Sequence, residues 1–67
     1  MEFVYILIGH GSEWEENIVF LNENDAINAS IHHPNSRVEI FNKCVNGNGY
    51  VPTYNFYKNG VYYENKE

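Results

Sequence analysis

The chain has 67 residues, a formal net charge of −5 and one cysteine, Cys44. A chain of this length forms at most one domain with a thin core, and a single thiol excludes an intramolecular disulfide and favours a reducing, intracellular compartment. Because only four residues are lysine or arginine, the basic surface of a duplex-binding protein is missing, and direct nucleic-acid binding is not expected.

The first predicted element is a strand over the apolar run from Phe3 to Ile8. The run is far shorter than the ~20 residues that span a membrane and lacks the basic flank of a signal peptide, so we expect neither a membrane segment nor a targeting segment. Consecutive apolar side chains indicate a strand covered on both faces inside a sheet. Residues 17–21 (NIVFL) read as its hairpin partner, joined to it by the loop GHGSEWEE at residues 9–16.

A helix is predicted next. Asn22 is the expected N-cap, Leu21 could pack against Ala26 in the first turn, and Pro34 forbids continuation of the helix. Its large apolar side chains on one stripe are Ile27 and Ile31. We therefore expect these two isoleucines to pack the helix on a single sheet face, leaving the other face uncovered.

Alternating residues at 37–44 predict a third strand, and residues 50–58 predict a fourth that is interrupted by Pro52. The Asn59-Gly60 pair predicts a tight turn into a fifth strand. The order is β-β-α-β-β-(β), and a right-handed crossover through the helix places the third strand beside the first, giving the spatial order 2-1-3-4-(5). The fold class is therefore α+β, with one helix on an antiparallel four- to five-stranded sheet; residues 1–64 form the domain and 65–67 a frayed tail.

The loop after the first strand contains most of the side chains that could take part in catalysis or metal binding. His10 and Glu13, together with Cys44, could serve a metal-dependent or thiol enzyme, but the spacing matches no ligand set, triad or nucleotide-binding turn. The chain is therefore expected not to be an enzyme and to use no cofactor or metal. His10 and Trp14 are instead candidates for a partner-facing loop, but for Trp14 we favour a position folded back to cap the end of the core, because a thin core has use for every large side chain.

Aromatic residues crowd the last hairpin, and three interpretations compete. They can stack single-stranded bases, which the net charge disfavours, cover sheet faces and edges, or form a protein interface. Since one helix covers one face, we expect a second copy of the chain to cover the other. The residues predicted at this dimer interface are Phe3, Tyr5, Leu7, Phe41, Tyr54, Phe56, Tyr57 and Tyr62.

The spans SEWEE…IVFLNENDAINASIHHPNSRVEIF and GYVPTYNFYKNG cover most of the chain. They resemble small uncharacterised proteins of amoeba-infecting giant DNA viruses. The resemblance implies a short, non-enzymatic viral protein that acts in the host cytoplasm or nucleus or is packaged in the virion, and it assigns no functional residue. With the expected self-association, it predicts a homodimeric interaction module whose further partner is a host or viral protein.

Overall fold

A computed structural model describes residues 2–9 and 17–65 of the chain. These residues form one helix and five strands, which are β1 (Phe3–Gly9), β2 (Ile18–Phe20), α1 (Glu23–His32), β3 (Ser36–Lys43), β4 (Tyr50–Lys58) and β5 (Val61–Tyr63). The predicted α+β class is confirmed. No helix in the described part of the chain has the length and apolar character needed to span a membrane.

The sheet has the order β2-β1-β3-β4-β5, and every pair of neighbours is antiparallel. This is the order predicted from the crossover through the helix. Leu7 of β1 lies opposite Val38 of β3, which lies opposite Tyr57 of β4. These three side chains therefore form one row across the middle of the sheet.

Side chains of a strand alternate between its two faces, so this row defines the face that α1 covers. The core on this face comprises Tyr5, Leu7, Ala26, Val38, Ile40 and Tyr57, with Phe20 and Ile27 packed against it. In β1 the covered positions are odd-numbered. The even-numbered Val4, Ile6 and Ile8 lie on the opposite face and are only partly buried.

The ends of α1 follow the predicted capping pattern. The Asn22 side-chain oxygen accepts hydrogen bonds from the backbone N–H groups of Asn24 (2.8 Å) and Asp25 (3.3 Å), which satisfies two donors that a helix start leaves without partners. The expected packing of Leu21 on the first turn is wrong, because 80% of this residue is exposed. The hydrogen bonds of Asn22 therefore determine where the helix begins.

The helix contacts the sheet through small residues, so the prediction that Ile27 and Ile31 hold it there is partly wrong. Ala26 and Ser30 are completely buried, whereas Ile27 is partly buried and Ile31 is 48% exposed. Small side chains one turn apart allow the helix backbone to approach the sheet closely. The Ser30 hydroxyl donates to the Ile27 carbonyl (2.7 Å) and accepts from the Gly60 N–H (2.9 Å), which ties α1 to the β4–β5 turn.

Strand β4 contains an irregularity close to Pro52, the residue at which the sequence predicted an interruption of this strand. Its pairing with β3 shifts between Glu39 and Phe41. Tyr54 has a positive φ of 68°, and the Thr53 hydroxyl donates to the Ile40 carbonyl at 2.8 Å. The side chain of Thr53 therefore satisfies a backbone acceptor that the regular ladder no longer serves.

The predicted C-terminal tail is held at its first residue. The Asn65 N–H donates to the side-chain oxygen of Asn55 at 2.7 Å. Residues 66 and 67 lie outside the described residues.

Candidate functional site

The sheet face turned away from α1, called the outer face below, carries many apolar and aromatic side chains, interrupted along β3 by Arg37 and Glu39. The strand registers place on it Val4, Ile6, Ile8, Val19, Phe41, Phe56 and Tyr63. All of them are partly buried or exposed. Among the described residues, no further element lies over this face.

An ion pair lies near the centre of the outer face, against an aromatic stack. Arg37 Nε is 2.6 Å from Glu39 Oε2, and the Arg37 guanidinium lies 5.5 Å from the centroid of the Phe56 ring. Phe56 in turn stacks on Tyr63, with ring centroids 5.1 Å apart. The Glu39 side chain is only 12% exposed, whereas that of Arg37 is 55% exposed, so the arginine is the member of this ion pair that an approaching molecule can contact.

The charge of the outer face differs from that of the chain as a whole. By strand alternation it carries the basic residues Arg37, Lys43 and Lys58 and the acidic residues Glu2 and Glu39. Lys43 Nζ donates to the Glu2 carboxylate at 2.9 Å, and this hydrogen bond lowers the pKa of Glu2 and raises that of Lys43. The face is thus close to neutral in a chain whose net charge is −5.

A second concave surface, the tyrosine groove, lies on the helix side near the start of α1. Its volume is about 370 Å³, and its lining consists of Phe3, Tyr5, Glu23, Ile40, Asn55, Tyr57 and Tyr62. The Tyr57 hydroxyl donates to Glu23 Oε2 at 2.5 Å. Burial, and then this hydrogen bond, raise the pKa of Tyr57 far above its usual value, and burial also raises the pKa of Tyr5. Both phenols therefore stay protonated to a higher pH than an exposed tyrosine does.

The eight residues predicted at the dimer interface do not form one surface. Tyr5, Leu7 and Tyr57 are buried beneath α1, and Phe3 and Tyr62 line the tyrosine groove on the same side. Phe41 and Phe56 lie on the outer face as predicted, while Tyr54 is exposed at the irregularity of β4.

The prediction assigned the wrong face of β1, because that strand is apolar on both faces and gives no alternation. It thereby missed Val4, Ile6, Ile8, Val19 and Tyr63. A usable signal was present in β3, where Val38 and Ile40 alternate with charged Arg37 and Glu39. Pairing of β3 with β1 extends the covered face from Val38 to Leu7.

The predicted alternative of a metal or thiol site depends on residues that the structure describes only in part. His10, Glu13 and Trp14 lie outside the described residues, and Cys44 is partly buried just after β3. Gly9 pairs with Ser36 at the start of β3. Cys44 follows Ser36 by eight residues, which is roughly 26 Å along an extended strand, so Gly9 and Cys44 lie at opposite ends of β3. Within residues 2–9 and 17–65, no three His, Cys, Asp or Glu side chains are grouped closely enough to hold a metal ion.

Comparison of the chain with protein-family models, with curated proteins and with solved structures gives no match. The viral origin implied by the sequence resemblance therefore stays a prediction. The functional interpretation depends on the geometry of the two surfaces.

Proposed function

We propose that the protein is a non-catalytic interaction module that forms a homodimer by packing two outer faces together. The observation that carries the proposal is the uncovered face itself, where the apolar side chains of β1 and the Phe56–Tyr63 stack lie on either side of the Arg37–Glu39 pair of β3. Apolar and aromatic surface left uncovered in this way is typical of protein interaction sites. Action in an infected cell or virion is part of the same proposal, following the sequence resemblance.

The outer face has the dimensions that a stable dimer requires. Three strands of seven, eight and nine residues and two of three residues, at about 4.8 Å spacing, give a face of roughly 500 Å² in projection. Specific interfaces bury about 800 Å² of accessible surface on each partner. Side chains make the accessible area of such a face larger than its projected area and bring it to the order of about 800 Å². Packing of two sheets face to face can bury most of this area.

A second copy of the chain fits the charges of this face. Two copies that met through acidic surfaces would repel each other, but the outer face is nearly neutral. A two-fold axis places the same patch on both sides of an interface, so the exposed Arg37 of each copy can approach the Glu39 carboxylate of the other. The ion pair then becomes a shared feature at the centre of the interface, with the aromatic rings around it.

The energetic effect of this burial is large for so small a domain. At about 25 cal/mol per Å², burying a few hundred Å² of apolar surface contributes on the order of 5–10 kcal/mol before the entropic cost of association. A chain of 67 residues is expected to have a total stability of about 3–10 kcal/mol. Dimerisation and folding are therefore expected to be thermodynamically coupled.

Two neighbouring tyrosines of β5 provide a matched test. Tyr62 and Tyr63 are 49% and 45% exposed, but Tyr63 lies on the outer face and Tyr62 on the helix side. We expect Tyr63→Ser to raise the dimer dissociation constant at least about tenfold, as truncation of an interface aromatic does, and Tyr62→Ser to leave it nearly unchanged. Sedimentation equilibrium measures both constants, and circular dichroism verifies folding. Equal effects of the two variants would contradict an interface on the outer face.

One observation favours a second candidate, the platform for single-stranded nucleic acid. Phe41, Phe56 and Tyr63 share the outer face with three basic residues, and such a combination can stack bases and hold phosphates. The ion pairs of Arg37 with Glu39 and of Lys43 with Glu2 neutralise most of that positive charge, so the dimer is preferred. The outer face would be assigned to nucleic acid instead if the protein is monomeric and binds an oligonucleotide at physiological salt, and if Tyr63→Ser abolishes that binding.

A further inference from the structure

The tyrosine groove is an open concave surface lined by aromatic rings. The Tyr57 ring is tilted by 46° from that of Tyr5 and by 57° from that of Tyr62, with centroids 6.4 and 5.6 Å away. The rings are therefore not coplanar and present their surfaces to the groove at different angles. Tyr5 and Tyr57 are largely buried and form its floor, while the more exposed Phe3 and Tyr62 form its sides.

The electrostatics of the groove favour a cation. Among the described residues, its lining includes one carboxylate, that of Glu23, and no lysine, arginine or histidine. Glu23 makes no ion pair with any of the described residues, so no basic side chain in that part of the chain neutralises its charge. The faces of aromatic rings carry negative electrostatic potential and attract cations, and the carboxylate adds to this attraction.

The groove has few free hydrogen-bond acceptors, and this favours a quaternary ammonium over a primary ammonium as its ligand. A primary ammonium group brings three N–H donors and is strongly hydrated, so it needs several acceptors in the site. Here one Glu23 oxygen already accepts from Tyr57, and the Asn55 side-chain oxygen accepts from the Asn65 N–H. A quaternary ammonium has no donor to satisfy and contacts ring faces through its methyl groups.

We propose that the tyrosine groove binds a quaternary methylammonium group, held by cation–π contacts with Tyr5, Tyr57 and Tyr62 and by the Glu23 carboxylate. Its volume of about 370 Å³ lies within the range of small-ligand sites. The groove is on the sheet face opposite the outer face, so it stays accessible in the dimer. The same chemical group occurs on free small molecules and on trimethylated lysine side chains, and the groove recognises what these two sources share.

Calorimetric titration of the full chain with five ligands tests the proposal. Three are small molecules: tetramethylammonium, choline and the neutral choline isostere 3,3-dimethylbutan-1-ol. The other two are a short peptide that carries trimethyllysine and the same peptide with unmodified lysine as a control. We expect the cationic probes to bind about tenfold more tightly than the neutral isostere, and the trimethyllysine peptide more tightly than its unmodified form. If tetramethylammonium and choline bind as tightly as the trimethyllysine peptide, the natural ligand is a small molecule. If the trimethyllysine peptide binds more tightly than both, the natural ligand is a protein that carries trimethyllysine.

Three variants connect the binding to the groove. We expect Glu23→Gln, which keeps a side-chain oxygen for the Tyr57 hydroxyl, to weaken the cationic probes about tenfold and to leave the neutral isostere unchanged. Tyr62→Ser weakens the cationic probes by a similar factor. Tyr54→Ser removes a tyrosine that is exposed outside the groove and has no effect. Equal affinity for choline and its neutral isostere, no binding of any cationic probe at millimolar concentration, or full binding by folded Glu23→Gln would each overturn the proposal.

Discussion

Replacement of Leu7 by alanine is expected to lower the free energy of unfolding by about 2–5 kcal/mol, the usual cost of removing a buried leucine side chain and leaving a cavity. Leu7 is only 6% exposed and lies in the row of core residues between β2 and β3. The loss is at least about a fifth of the total stability expected for a chain of this size. Urea denaturation followed by circular dichroism measures the change.

Leu21→Ala is the matched control, because it makes the same chemical change at a residue that is 80% exposed. We expect it to change the free energy of unfolding by less than about 0.5 kcal/mol. Both variants are compared at one protein concentration, since the stability of a dimer depends on concentration. A loss at Leu21 as large as that at Leu7 would mean that the covered face is assigned wrongly.

Gly60→Ala is the second variant with a large expected effect, about 2–3 kcal/mol. Gly60 has a φ of +81°, a conformation that costs an alanine about 1–2 kcal/mol. A Cβ atom added there would also lie 2.9 Å from Ile31 Cγ1. Because Ile31 is half exposed and can move, this crowding adds roughly 1 kcal/mol, the lower end of the range for overpacking.

The loop glycine Gly47 separates the two contributions. Its φ of +80° is nearly the same, and an added Cβ would meet no atom within 4 Å. Gly47→Ala is therefore expected to show the backbone cost alone, and the difference between the two variants in thermal or urea denaturation measures the contact between α1 and the β4–β5 turn. If Gly47→Ala is as destabilising as Gly60→Ala, the helix does not press on this turn.

The strand order was predictable from the sequence because its signals are local. The Asn22 cap, the stop at Pro34 and the Asn59-Gly60 turn mark where elements begin and end, and the handedness of the crossover then fixes the neighbours of the first strand. The contact residues of the helix were not predictable in the same way. Large side chains dominate a hydrophobic pattern, yet close packing is made here by Ala26 and Ser30.

The outer face and the tyrosine groove were harder to predict from the sequence because both depend on contacts between residues that are distant in the chain. The apolar β1 has no polar alternation, so its covered face follows only from its register with β3. Glu23 and Tyr57, which the groove brings together, are 34 residues apart in the chain. Nothing local in the sequence indicates that a helix-start carboxylate and a β4 tyrosine share a site.

The central claim is that the outer face is buried by a second copy, and the most direct measurement is the mass of the wild-type protein across a dilution series. Light scattering at tens of micromolar is expected to give twice the monomer mass of 7.8 kDa. Dilution should shift the mass toward the monomer, and the melting temperature should rise with protein concentration because dimerisation stabilises the folded state. A mass of 7.8 kDa at every concentration, with a melting temperature independent of concentration, would contradict the claim.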